Sequence, residues 1–437
     1  MKKVIFQLMF VSLLFLLAAC GSGSEASEND TGAADGEPVE IDFWYGLGGQ
    51  VEEVILNQVD RFNEAQDDIY VNAVFQESYD VTSQKLQAGI VSGELPDVVQ
   101  INTRAWPIFG YNDVFLNLDD YIENDEEINF DDFIPGLLVN TAVEDKQYTL
   151  PYNRSTPILY YNKDIMREIG ADPDNPVETW DDLVEIAGKA SIINDGNVER
   201  FGFSASMSGW YFYSLAWSNG GEILKDDLTT VMFDSPEAAE GVQLWKEMIE
   251  DQLMMPPVGG TSTSGSSAGE SLSQSFFDET TALTIASTGS LGQYSSNVDF
   301  DLGTTFLPRF DEYAVATGGA NLAIIDTDSE EKQNAAWEFI KFMTSTDEAV
   351  YFAKETGYLP IRQSALDSEE LQAYYEENPI YIPAIEQLEY AKEAPRSEHT
   401  LRIESEVNKA MEKAVTSDMT AQEALTEAAD IIRDVLE

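Results

Sequence analysis

Apolar and polar positions recur along this chain with two periods, and the order of those periods predicts its elements. Glu40–Tyr45 (EIDFWY) reads as a strand, and Val51, Val54, Ile55, Val59 and Phe62 then fall at helical spacing on one face. Ile69–Phe75 predicts a second strand. A helical stretch from Val81 to Val91 leads into Leu95–Ile101, an apolar run of buried-strand type. Strand, helix, strand, helix, strand in this order predicts a mainly parallel sheet covered by helices. The pattern restarts at Leu150–Asn162, a long extended segment with two prolines, Pro151 and Pro157. Thr179–Ala187 predicts a helix with Trp180 in the core. Ser235-Pro236-Glu237 opens another, with a capping serine, a first-turn proline and an apolar face of Val242, Trp245, Met248 and Ile249. Residues 259–275 are rich in Gly and Ser and predict a loop. Beyond them Gly318–Ile324 predicts a strand, Ser329–Met343 a helix, and two amphipathic helices close the chain. The last starts with the capping box Thr420-x-x-Glu423 and carries Leu425, Ala428, Ile432 and Val435. No internal repeat is evident.

The first twenty residues follow a different rule. Lys2 and Lys3 form a positive start, Val4–Leu16 is apolar but short for a membrane span, and Leu17-Ala18-Ala19-Cys20-Gly21 places small residues at a cleavage point. This has the form of a lipoprotein signal, in which the cysteine is lipidated and becomes the first mature residue. Cys20 is the only cysteine, so an intrachain disulfide is excluded. Residues 20–39, small, polar and acidic, predict a flexible tether. The expected location is the extracellular face of the cell membrane, held by that lipid anchor.

Length and charge narrow the picture further. At 437 residues the chain exceeds what one core usually serves, which predicts two lobes. Eighty Asp and Glu against 24 Lys and Arg give a formal charge of -56. Such a field repels nucleic-acid phosphates, so no nucleic-acid partner is expected. Catalytic chemistry is poorly supplied. His399 is the single histidine, in a polar stretch that predicts the surface or a pocket rim, and no cysteine beyond Cys20 is present; neither a metal site nor a cysteine nucleophile is expected. Gly265-Ser-Ser-Ala-Gly269 matches G-x-S-x-G by letter around Ser267, but it lies in a Ser/Thr/Gly run without the apolar strand a nucleophile elbow requires. No G-x-x-x-x-G-K-[ST] or G-x-G-x-x-G motif occurs, so no nucleotide cofactor is implied. No catalytic residue and no cofactor are expected, and the chain reads as a non-enzyme.

Several motifs then occur in one order: FWYG at 43–46, LPDVV at 95–99, YYNKD at 160–164 and ETWDDL at 178–183. Together with the N-terminal signal they resemble the family 1 extracellular solute-binding proteins of ABC importers. Within that family the resemblance is to the glycerol-3-phosphate-binding branch. It is carried by PYNRSTPILYYNKD (151–164), SGW (208–210), ASTGSL (286–291), GGANLAI (318–324), TGYLPI (356–361), YYEENP (374–379) and the region of Arg402. The resemblance implies an α/β fold of the two-lobed, type II periplasmic-binding-protein kind, with a ligand cleft between the lobes. Aligned to these motifs, Ser155, Ser287, Gly319, Tyr358 and Arg402 fall at the phosphate end of the solute. Hydroxyl and backbone N–H donors with a guanidinium fork are what a phosphomonoester requires. Alone, each has a plainer reading as a turn cap, loop former, core aromatic or surface charge. Tyr79 and Trp210 fall at the polyol end. Met207 stands where a second tryptophan is expected, Thr103 where a hydroxyl-binding glutamate is expected, and Arg154 where the branch has a serine.

The implied function is capture of a phosphorylated polyol, glycerol 3-phosphate or a glycerophosphodiester, by lobe closure and delivery to ABC permease subunits. An unphosphorylated sugar or oligosaccharide is the alternative solute, and a tethered glycosidase or an adhesion module the alternatives of another class. The expected division is residues 1–19 signal peptide, 20–39 tether, 40–154 and 290–344 the first lobe, 155–289 and 345–437 the second, in a monomer. Crossings between lobes are expected near Asn153–Pro157, Ser287–Leu291 and Ser345.

Overall fold

The computed structural model describes residues 37–437 except 145, 258–266, 393 and 437. The signal segment, Cys20 and residues 20–36 of the tether lie outside the described residues. No helix among the described residues is long and apolar enough to cross a membrane.

Two five-stranded sheets organise the body. In the first, the strands run Ile69–Phe75, Val39–Tyr45, Val98–Asn102, Gly318–Ile324, Thr149–Ser155. The first three are parallel, and the last two are antiparallel to their neighbours. The helix Gln50–Ala65 packs Val54, Ile55, Val59 and Phe62 into this lobe. Val98–Asn102 is buried along its whole length, as a central strand covered on both faces must be.

The second sheet runs Leu302–Thr305, Pro157–Asn162, Thr281–Ser287, Asn197–Ser204, Ile192–Asn194 and is mixed. Alternate residues of Pro157–Asn162 face opposite ways. Leu159 and Tyr161 join a core with Trp180, Trp245 and Met411. Ile158 and Tyr160 join the core shared with Phe276 and Tyr294. Trp180 is 2% exposed and lies edge-on to Trp245.

Several expectations meet a different structure. Leu150–Asn162 is not one continuous extended element but two strands in two sheets, which divide at Thr156, within the crossing expected near Asn153–Pro157. Of the Gly/Ser-rich segment predicted as a loop, residues 259–266 lie outside the described residues, and the rest is part of a helix, Ser267–Phe277, whose Leu272 and Phe276 are buried. Val435 is 40% exposed at the edge of the final helix's apolar face. Leu302–Thr305, placed by sequence in the first lobe, pairs with Pro157–Asn162 of the second sheet. Ser345 is no crossing: it caps the helix Thr346–Thr356, which packs on Gln50–Ala65 of the first lobe. Strand partners and helix docking are non-local, and the local pattern does not encode them.

Candidate functional site

The two sheets are joined where Thr149–Ser155 passes through Thr156 into Pro157–Asn162. Thr156 is pinned by Thr288: the Thr288 N–H donates to its carbonyl at 2.9 Å, and its own N–H donates to Thr288 Oγ1 at 3.2 Å. Around this joint the structure gathers most of the sequence-derived residues. Ser155 ends its strand 3% exposed, in register with Gly318. Ser287 ends Thr281–Ser287; its Oγ accepts from the Gly289 N–H at 3.1 Å, and its carbonyl accepts from the Tyr160 hydroxyl at 2.6 Å. The Tyr358 ring lies flat on Gly289, where an added Cβ would come within 2.5 Å of it. Gly319 holds φ +88°, and a Cβ there would fall on the carbonyl oxygen of Asn153.

Tyr79 reaches the same place. Asn153 Nδ2 donates to the Tyr79 hydroxyl at 2.6 Å, and the Tyr358 phenol lies beside both. Burial pushes the Tyr79 phenol well above its ordinary value, and the Tyr358 phenol beside it adds to the rise. Burial also raises Tyr358, against the hydrogen bonds of Asn153 and Tyr79. Both phenols are therefore protonated donors at neutral pH. Asn153 is itself oriented by Gln100 Nε2 at 3.0 Å, whose Oε1 accepts from the Gly46 N–H at 2.9 Å. Asn153 and Gln100 were not singled out as site residues from sequence, although Asn153 lies within PYNRSTPILYYNKD and Gln100 within the predicted strand Leu95–Ile101.

Trp210, half-buried, donates its indole N–H to the carbonyls of Ala316 and Thr317 at 3.2 and 3.3 Å. Its ring lies against Gly318, 2.7 Å from where a Cβ would be. Thr103 is 2% exposed; its N–H donates to the Gly319 carbonyl at 3.1 Å.

Three residues sit elsewhere. Met207 is 3% exposed within the second lobe's core. Arg154 brings no cation to the phosphate end: strand alternation turns it away from Asn153 and Ser155 into the first lobe, where it donates to the carbonyls of Leu137 and Gly318 and to Asn321 Oδ1. Arg402 is 52% exposed and pairs at 3.0 Å with Glu406 on its own helix, Thr400–Thr416.

Sequence reading also missed a junction between the lobes. Arg104, after the strand Val98–Asn102, donates its Nε to Asn102 Oδ1 at 2.9 Å and pairs with Glu404 of Thr400–Thr416. Glu404 is buried against Gly209, whose Cβ would meet its Cγ at 2.6 Å, and Asn408 accepts from the Gly209 N–H. Burial raises the Glu404 carboxyl, and the Arg104 charge opposes that rise. One salt bridge among many acids carries no signal in sequence. A surface groove of about 610 Å³ lies apart on the first lobe beside Val39, Ile69, Tyr121 and Trp337.

Comparison with known proteins agrees with this architecture. The bacterial extracellular solute-binding protein family matches residues 57–379. The sn-glycerol-3-phosphate-binding periplasmic protein UgpB of Yersinia enterocolitica is 27% identical over 422 residues, covering 89% of this chain and 90% of that protein. The crystal structure of UgpB from Mycobacterium tuberculosis in complex with glycerophosphocholine superposes with a TM-score of 0.80 at 25% identity, covering 91% of this chain and 98% of that one. Maltose-bound MalE3 of T. maritima shares the fold at a TM-score of 0.78 and 22% identity, covering 91% and 100%. The fold is thus the two-lobed, type II periplasmic-binding-protein kind, in a family of solute-binding proteins rather than enzymes. With a matched span well over half of its length, the chain belongs to the bacterial extracellular solute-binding proteins, the solute-capturing components of ABC importers.

Proposed function

We propose that the cleft captures a phosphorylated polyol, glycerol 3-phosphate or a glycerophosphodiester, and passes it to the permease subunits. The observation that carries this reading is the set of donors at the joint between the sheets. Ser155, Ser287, Tyr79 and Tyr358 bring hydroxyls to the joint, beside Gly289 and Gly319. Neutral donors of this kind form strong charge-assisted bonds to an anion and need no adjacent cation. Arg402 is left out of the site because it is exposed and paired with Glu406. The ligands named for the relatives at 25–27% identity support the same class. Closure of the two lobes about Thr156 and Ser287 would surround the solute. A monomer anchored through a lipid on Cys20, with its body held off the membrane by residues 20–39, completes the proposal.

An unphosphorylated sugar is the second reading, favoured by the absence of Arg402 from the joint and by the buried carboxylate of Glu404 nearby. Calorimetry with glycerol 3-phosphate, glycerophosphocholine and maltose separates the two. A phosphate ester is expected to bind and, at 100 times its Kd, to raise unfolding stability by about 2.7 kcal/mol. Tight maltose binding with no response to either ester would replace this reading with the sugar reading.

A further inference from the structure

The junction of Arg104 and Glu404 holds polar atoms that the fold does not use. Thr103 Oγ1, Thr317 Oγ1, the Tyr213 hydroxyl and Glu404 Oε2 are all buried, and none has a hydrogen-bond partner among the described residues. Their residues are 1–3% exposed. Buried polar groups are nearly always satisfied, because a group that gives up water and gains nothing in return destabilises the fold.

A chain of contacts across the junction links the residues that carry these four groups. Thr103 adjoins Arg104, which pairs with Glu404, and its N–H reaches the Gly319 carbonyl. The carbonyl of Thr317 receives the indole N–H of Trp210, and Trp210 follows Gly209, which rests on Glu404. The Tyr213 phenol feels both the Glu404 and the Arg104 charges. Thr103 and Arg104 follow a first-lobe strand, whereas Tyr213 and Glu404 stand on helices of the second lobe's core. The site therefore exists only where the lobes meet.

The missing partner must satisfy opposite demands. As the carboxylate paired with Arg104, Glu404 offers Oε2 as an acceptor, whereas the two threonines and Tyr213 can donate as well as accept. A phosphate is repelled by the carboxylate and has no proton to give it, and an ammonium has no lone pair for the hydroxyls. A carbon-bound hydroxyl donates and accepts at once, and two adjacent hydroxyls span a carboxylate and its neighbours.

We infer that Thr103, Arg104, Tyr213, Thr317 and Glu404 form the hydroxyl-recognising end of the cleft, with Glu404 accepting from adjacent hydroxyls of the solute. The inference deepens the proposed function and rests on that reading for the solute's orientation. The phosphate lies toward Ser155, Ser287 and Tyr358, the hydroxyls toward Glu404, and the backbone of Gly318 and Gly319 runs between the two ends. Arg104 acts as a positioning residue that holds the Glu404 carboxyl in place and opposes the rise that burial imposes on it. The polyol end is then set by a carboxylate from the second lobe rather than by Met207, which lies in the core.

Calorimetry on the mature chain with glycerol 3-phosphate, propyl phosphate and maltose tests this, since propyl phosphate keeps the phosphate and lacks the carbon-bound hydroxyls. The wild type is expected to prefer glycerol 3-phosphate to propyl phosphate by at least about tenfold. Glu404→Gln should remove most of that preference with a smaller change for propyl phosphate, in a variant that still melts cooperatively although at a lower temperature. Thr103→Val tests the same subsite by the same preference if Glu404→Gln does not melt cooperatively. An intact preference in the variant overturns the subsite while the phosphate reading stands. If maltose alone binds and Glu404→Gln weakens it by tenfold or more, the phosphate reading falls and the subsite stands. Binding of none of the three overturns both.

Discussion

Gly319 shows how one position can serve both fold and site. Its φ of +88° is open to glycine and strained for other residues, and the Asn153 carbonyl occupies the space a side chain would take. Gly319→Ala should therefore lower unfolding stability by on the order of 3 kcal/mol, adding backbone strain to the displacement of Asn153. It should weaken solute binding too, because Asn153 orients Tyr79 and Tyr358. Urea unfolding with calorimetry checks this, and an unchanged midpoint would refute it. GGANLAI marked Gly319 in the sequence, but only the structure gives its reason: the register that sets it against Arg154 and Asn153. Arg154 shows the converse, since its charge suggested a ligand contact and strand alternation sent it into the interior.

At the scale of elements, caps and prolines were legible because they act within a few residues. Thr179 and Asp182 form a full capping box, and Thr420 and Glu423 exchange the same pair of bonds. Longer-range ties were not. The helix Glu330–Met343 is fastened to the segment after Asp119–Asn124 through Asp125, whose carboxylate accepts from Lys341 Nζ at 2.8 Å and the Trp337 indole at 2.9 Å. Burial alone would raise the Asp125 carboxyl, yet the hydrogen bonds from Lys341, Trp337 and the Glu127 N–H outweigh it and hold the group below its ordinary value. A depressed folded value means that the unfolded chain binds the extra proton first as pH falls, so this stability is present above the ordinary carboxylate range and lost below it. Asp125→Asn should cost about 1–2 kcal/mol at pH 6, and its difference from wild type should shrink as the pH approaches 3. Urea titrations at the two pH values measure it; a pH-independent difference would show that the charge is not what matters.

For the whole molecule, the proposed anchor and the acidic coat act together. A chain with a formal charge of -56 is repelled by anionic lipid headgroups, so only a covalent tether would keep its body near the permease. Wild-type protein is expected to partition with membranes and Cys20→Ala to appear in the soluble fraction without lipid. A wild-type mature chain that begins at another residue, with no lipid attached, would remove the anchor from the proposal.

The local pattern by itself determined that this is an α/β chain in two parts, because the periods of strand and helix, proline breaks and caps are written within a few residues of where they act. It also marked the donors at the joint, since Ser155, Ser287, Gly319 and Tyr358 lie in motifs whose order identifies the family. Only the tertiary structure decided that Leu302–Thr305 joins the second sheet, that Arg402 faces solvent, and that Arg104 and Glu404 meet across the lobes. These outcomes depend on contacts between residues far apart in sequence. Residues 104 and 404 are separated by 300 positions, and only the folded packing selects one carboxylate partner from eighty acidic residues.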